Sequence, residues 1–273
     1  EETAAEPLAP LPWANVRSQF RLRRDRVHLG AFLLASHPAP IRRAIERYRR
    51  ALDADPVGYL HGSSAAREAA VLRAAASYTG ARAADIALTD STTMGLALLY
   101  NGIHVRAGQE LLTSTHDFFV THDALQLKAD RTGASLRKVR LYDDSAAASA
   151  DTVVRRVVNA VTPRTRVVAL TWVHSSTGVK LPLARIARGL GKRRGDVLLC
   201  VDGVHGLGVE NTTVGSGPQP HLKSVADPYD DVSPKHRWGP IKLTMGSAAA
   251  KLRGLVRGRF KGIDVITRGR SPR

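Results

Sequence analysis

The chain is almost without cysteine. Cys200 is alone among 273 residues, so neither a disulfide framework nor a cysteine-rich zinc site fits this sequence. No run approaches eighteen consecutive apolar residues, which excludes a membrane-spanning helix. Aromatic residues make up 5%, and they do not interleave with the basic ones as a base-stacking platform requires. Four signature patterns are also missing: G-x-G-x-x-G, G-x-S-x-G, H-E-x-x-H and G-x-x-x-x-G-K-[ST]. Without them a nicotinamide site, a hydrolase elbow, a zincin and a P-loop all lose their usual sequence support.

Acidic residues are scarce too, at 24 against 41 basic, for a net charge of +17. The excess is uneven. From Val232 to Arg273 there are 11 Lys or Arg and one acid, Asp264. This tail reads as a solvated basic end; the alternative is an anionic partner docking on it. No nucleic-acid motif accompanies it, so nucleic acid is not the expected partner. Apolar residues reach 43%, enough for a sizeable core and too many for a disordered chain. The length suits one large α/β unit. Location stays open: cytoplasmic, or exported if a removed N-terminal signal existed.

Periodicity organises the chain. Residues 1–15 read as an irregular lead-in. Pro40 to Leu52 reads as a helix, with Ile41, Ala44, Ile45, Tyr48 and Leu52 on one face. Ser64 to Tyr78 is a second, Ala-rich helix. Strands are expected at 86–88, 110–113, 135–141, 166–172 and 197–201. Helices are expected between them at 93–101, 118–132, in the segment that Asp151 caps, and at 182–194. This βαβα alternation, with wholly apolar strands such as Val197 to Val201, argues for an α/β fold. Its core is a mostly parallel sheet covered by helices on both faces. Residues 211–248 are rich in Gly, Pro, Ser and Asp and carry no strong strand or helix pattern.

In such sheets the ligand sits at the carboxyl ends of the strands. Thr89 to Gly95 (TDSTTMG) gathers hydroxyls at a helix N-terminus, which suits a phosphate or is simply an N-cap. In Ser114 to Phe119 (STHDFF), His116 and a Phe suit stacking on a planar ring, or the phenylalanines belong to the next helix's core. Val173 to Gly178 (VHSSTG) offers polar groups or is a Ser/Thr turn. Asp202 ends a buried apolar strand and heads Asp202 to Gly208 (DGVHGLG). A carboxylate there is costly unless a cation meets it. A protonated ring nitrogen is one such cation; a metal is another, although Asp202 and His205 alone make an incomplete metal shell. The alternative is a structural Asp capping a Gly-rich turn. Taken together, the four loops describe a phosphate cup, a stacking residue, a hydroxyl near a ring and an acid for a ring nitrogen. That set fits pyridoxal 5′-phosphate.

These segments resemble the class V aminotransferases, the fold-type-I pyridoxal-phosphate family, from about Val27 to about Val214. The look is that of the isopenicillin N epimerase-like and hercynylcysteine sulfoxide lyase-like branch. The most specific match is Val201 to Gly208 (VDGVHGLG). The resemblance implies a lead-in over 1–26, a cofactor-binding large domain over 27–214 and a divergent basic segment over 215–273. It implies that Thr92 and Thr93 hold the phosphate, and that Phe119 or His116 stacks on the pyridine. It assigns Ser175 to the ring oxygen, Asp202 to the pyridinium and His205 to its flank. It implies a homodimer acting on an amino acid or amine by transamination, epimerisation or β-elimination.

One departure is plain. The family's His-Lys-Trp motif, whose lysine carries the cofactor, is not in place: Pro228 stands near the expected position. Lys235, in Ser233 to Pro240 (SPKHRWGP), is the candidate lysine, and Lys223 is the next. A small C-terminal domain is expected to be missing or incomplete. The rival expectation is a catalytically degenerate fold that binds an anionic partner through the basic tail.

Overall fold

A computed structural model describes residues 12–30, 35–193 and 196–210, together with the backbone of 243–246. The chain divides into two units, residues 1–68 and 69–273. Among the described residues, no helix is long and apolar enough to cross a membrane.

In the first unit, α1 (Trp13–Ser18) falls partly where the sequence suggested an irregular lead-in. Helix α2 (Ala39–Ala54) starts beside Pro38 and Pro40, whose fixed φ suits a first turn. Its predicted apolar stripe forms, and Ile41, Ile45, Tyr48 and Leu52 on it are exposed. At Asp55 the chain breaks, and that carboxylate accepts the Gly58 N–H at 2.9 Å. Helix α3 (Pro56–Thr79) then begins eight residues before the expected Ser64. Gly58 and Gly62 lower its intrinsic propensity there, but the Asp55 side chain satisfies an end N–H and starts the helix.

The second unit carries the alternation. Its elements are β1 (Ile86–Thr89), α4 (Thr92–Gly102), β2 (Glu110–Ser114), α5 (Phe119–Thr132), β3 (Ser135–Val139), α6 (Ala150–Ala160), β4 (Thr165–Thr171), α7 (Leu183–Arg193), β5 (Leu198–Asp202) and β6 (Leu243–Gly246). Four strands form one parallel sheet in the order β3-β2-β4-β5. β1 pairs in parallel with β6, Ile86 opposite Leu243 and Thr89 opposite Gly246. β6 lies within 211–248, where no strong strand pattern is legible in the sequence. The rest of 211–273, with Lys223, Lys235 and the basic tail, lies outside the described residues.

Each central strand is buried on both faces, which is why these strands read as apolar runs rather than as alternations. Leu112, Val168, Leu170 and Leu199 point to one face and pack with Val153 and Val157 of α6 and Ile186 and Leu190 of α7. Leu111, Val167, Ala169 and Cys200 point to the other and pack with Leu96, Leu99 and Tyr100 of α4 and Leu125 and Ala129 of α5. Each fully buried aliphatic side chain contributes roughly 1.5–3 kcal/mol. Helix α6 needs that burial, because its four valines are poor helix formers in isolation. Its N-cap is Ser149, whose hydroxyl accepts the Thr152 N–H, not Asp151 as expected. Asp151 sits inside the first turn and pairs with Arg185 of α7. β3 ends at Val139, two residues before the expected Leu141. Leu141 itself is fully buried in the core, so its apolar character reflects packing rather than strand.

At the amino ends of the strands, buried Glu110 accepts two hydrogen bonds from Arg137, at 2.8 and 2.9 Å, and one from Thr165 at 2.6 Å. Burial pushes its carboxyl up. The bonds from Arg137 and Thr165, with the charges of Arg137 and Arg164, outweigh that and hold it below the usual range.

Candidate functional site

The strand order places the site. From β2 the chain crosses to β3 on one side, then returns past β2 to β4 and on to β5. With right-handed crossovers, that reversal puts α5 on one face and α6 and α7 on the other, as the packing shows. The crevice outside β2 and β4 is therefore the topological switch point, where ligands of such sheets bind.

Asp117 occupies that crevice, three residues past β2, and is 6% exposed. Its Oδ2 accepts the Thr113 hydroxyl at 3.0 Å, the Ser114 N–H at 2.8 Å and the Ser114 hydroxyl at 2.5 Å. Its Oδ1 accepts the Thr171 N–H of β4 at 2.5 Å. One carboxylate thus ties the ends of two strands together. His174, three residues past β4, is fully buried, with Nε2 3.9 Å from Asp117 Oδ1. That nitrogen and the Thr171 hydroxyl have no hydrogen-bond partner among the described residues. His174 Nδ1 meets the Tyr142 hydroxyl at 2.9 Å, and the same hydroxyl meets Thr177 Oγ1 at 2.8 Å. His116 lies flat on Tyr142, with centroids 3.8 Å apart and planes 9° apart. Burial lowers the His174 pKa against the pull of Asp117, and burial lowers that of His116 against the Tyr142 main chain and Asp117. Both rings are favoured as neutral imidazoles.

Asp202 closes β5 opposite Thr171, and its carbonyl accepts the Trp172 N–H at 2.8 Å. Its side chain is buried and accepts the Val204 N–H at 3.0 Å. Burial pushes its carboxyl above the usual range; Val204 and His205 oppose the rise and Asp117 adds to it. The cation that the sequence argument required is therefore not supplied in full by the described residues. Tyr100 lies within range of the same two aspartates, and burial, Cys200, Asp202 and Asp117 raise its phenol well above the ordinary value. The turn after Asp202 is fixed by packing: a Cβ on Gly206 would lie 2.2 Å from Cε3 of Trp172.

Of the residues expected from sequence, His116, Asp202 and His205 belong to this cluster. Thr92 and Thr93 open α4, where Ser91 is the N-cap and accepts the Met94 N–H at 3.1 Å. No hydrogen bond joins them to the Asp117 group among the described residues. Phe119 is 62% exposed and its ring faces Phe118, so the flat partner in the crevice is His116. Ser175 is exposed in the turn 174–178, closed by Gly178 at φ +70°; its neighbour His174 is the residue that points inward. Asp117, Tyr142, His174 and Thr177 were missed as site residues. All four follow strand ends, and Asp117, like Asp202, is a buried carboxylate at such an end. Among the described residues, no group of three or more His, Cys, Asp or Glu is arranged to hold a metal ion.

Residues 37–215 match the family model of the class-V aminotransferases. The chain belongs to this family. Isopenicillin N epimerase of Amycolatopsis lactamdurans is 30% identical over 209 residues, covering 76% of this chain and 51% of that protein. A solved structure of a C-DES mutant, with glycine covalently linked to its PLP cofactor, superposes with a TM-score of 0.62 at 23% identity, over 70% of this chain and 50% of that one. The cysteine desulfurase CsdA from Escherichia coli gives 0.58 at 22%, over 71% and 49%. At these identities the two structures speak for the class-V fold. The chain spans about half the length of the relatives it matches. The match to the family model ends at residue 215, so the segment with Lys223 and Lys235 lies beyond the matched residues.

Proposed function

We propose that the crevice at the ends of β2, β4 and β5 binds pyridoxal 5′-phosphate, and that the protein acts on an amino acid or amine. The observation that carries this reading is Asp202, a carboxyl at the end of β5 whose burial holds it above its usual range. A protonated pyridine nitrogen would supply a cation to that carboxyl, and the flat His116 face suits a pyridine ring. When bound, the cofactor supplies an electron sink that stabilises a carbanion at the substrate carbon.

This chain's residues have distinct tasks in the proposal. Asp202 holds the proton on the ring nitrogen, and His205 flanks it. His116 stacks on the ring. Thr92 and Thr93, with the N–H groups of the first turn of α4, receive the phosphate. A hydroxyl or imidazole of the 174–178 turn, Ser175 by resemblance, faces the ring oxygen. Lys235, or failing that Lys223, carries the cofactor covalently. The reaction type, whether transamination, epimerisation or β-elimination, is read in the relatives' terms alone. The functional form is a homodimer, checked by sedimentation.

The test is a visible absorption titration of the full chain with pyridoxal phosphate, followed by borohydride reduction and peptide mapping. A saturable band and one labelled lysine, at 235 or 223, are expected. Scattered labelling without saturation refutes the reading and turns attention to the basic tail as a docking site for an anionic partner.

A further inference from the structure

We propose that Tyr142 is a positioning residue whose buried phenol, fixed by His174 and Thr177, sets the plane of His116 for stacking on a planar aromatic ligand. The ligand half of this inference rests on the cofactor reading above; the positioning half rests on geometry alone.

Tyr142 is 4% exposed, while His116 is half-buried, so the stacked pair leaves part of the histidine accessible. At 3.8 Å and 9° the two rings are parallel and in contact, so a tilt of the lower ring tilts the upper one. The lower ring is held at its far end. Its hydroxyl sits between His174 Nδ1 at 2.9 Å and Thr177 Oγ1 at 2.8 Å. A phenol has one proton, so it donates to one neighbour and accepts from the other. The Asp117 carboxylate, 3.9 Å from His174 Nε2, favours the imidazole proton on that nitrogen. Nδ1 is then the acceptor. The order is fixed: Val179 N–H to Thr177 (3.4 Å), Thr177 O–H to Tyr142, and Tyr142 O–H to His174. The burial that lowers the His174 pKa is consistent with a single ring proton. These residues come from three connections: His116 follows β2, Tyr142 follows β3, and His174 and Thr177 follow β4. The stacking plane is therefore set by the strand ends together rather than by the loop that carries His116.

The experiment uses the full chain, uniformly labelled with 15N-histidine, as wild type, Tyr142→Phe and Tyr142→Leu. Two readouts need no ligand. Proton shifts of His116 should lie upfield in wild type through the ring current of Tyr142, stay there in Tyr142→Phe and return to ordinary values in Tyr142→Leu. His174 should show one Nε2–H tautomer in wild type and a mixture in Tyr142→Phe. The third readout is binding of pyridoxamine 5′-phosphate, which needs no lysine, followed by its induced circular dichroism. A stacked aromatic pair predicts about tenfold weaker binding and a reduced dichroic band in Tyr142→Leu, and about threefold weaker binding in Tyr142→Phe. An unshifted His116, or a His174 already in two tautomers in wild type, overturns the positioning role. So does Tyr142→Leu binding within twofold of wild type with an unchanged band. Should Tyr142→Leu not fold, the wild-type spectrum and Tyr142→Phe decide. Correct ring shifts in a protein that binds no pyridoxamine phosphate refute the cofactor reading and leave the positioning geometry standing.

Discussion

Replacing Asp202 by Asn separates the two roles that a buried functional carboxyl plays. The side chain is buried and, among the described residues, makes one hydrogen bond, from the Val204 N–H, which an amide oxygen still accepts. The substitution therefore removes charge with little change in shape. Relief of an under-solvated buried group is of order 1–3 kcal/mol, so the ligand-free variant should melt several degrees higher at neutral pH. Because the folded carboxyl has a raised pKa, the folded protein holds a proton that the unfolded chain releases. Its stabilising contribution is complete below the unfolded value of about 3.9 and is lost as pH rises through the folded one. The advantage of Asp202→Asn should therefore be absent in acid and grow toward neutral pH. Ligand binding moves the other way. Losing the partner of a buried cation costs about 2–5 kcal/mol, or roughly thirtyfold to several-thousandfold in affinity for pyridoxal phosphate. Thermal melts from pH 3 to 8 and absorbance titrations read both effects. A variant less stable than wild type at pH 7.5, with affinity within twofold, would refute the assignment of Asp202 as a buried acid whose charge is disfavoured until a cationic ligand meets it.

Other outcomes follow from single contacts. Glu110→Gln breaks the bidentate pair with Arg137 and should cost about 1–3 kcal/mol by urea unfolding at pH 7. The Glu110 pKa is lowered in the fold, so this stabilisation is present above the unfolded value of about 4.3 and disappears as pH falls through the folded value. Gly206→Ala drives a methyl to 2.2 Å from the Trp172 ring and should cost about 1–3 kcal/mol, part of it recovered in the double variant with Trp172→Leu. The Cys200 thiol is fully buried and pushed up to about 12, so iodoacetamide at pH 8 should label it only after unfolding; prompt native labelling contradicts the packing.

Much of the large unit was legible because its strands are buried on both sides. Two-sided burial leaves no alternation to misread, only short apolar runs separated by helix-length segments. Asp202 is conspicuous because a carboxylate closing such a run has few innocent explanations. Asp117 is less conspicuous, since four hydrophilic residues, Thr113 to His116, intervene between the apolar run and the acid. Tyr142 and His174 were hidden for another reason. An aromatic or imidazole next to apolar residues is ambiguous until its neighbours from other strands are known. Ser149 was passed over in favour of Asp151 because both cap helices well, and only the backbone register tells Ncap from N2.

Composition and periodicity by themselves determined the α/β class, the order of strands and helices in 86–202, and the edge of the sheet on which a site would lie. Those properties depend on residue spacing and transfer free energy, which a linear sequence carries in full. Strand order, and with it the switch point between β2 and β4, is decided in three dimensions. So is the union of Asp117, Tyr142, His174 and Asp202, residues up to 85 positions apart. Stacking geometry, proton order along hydrogen bonds and the cost of an unpaired charge depend on distances of a few ångströms, which only the folded sheet fixes.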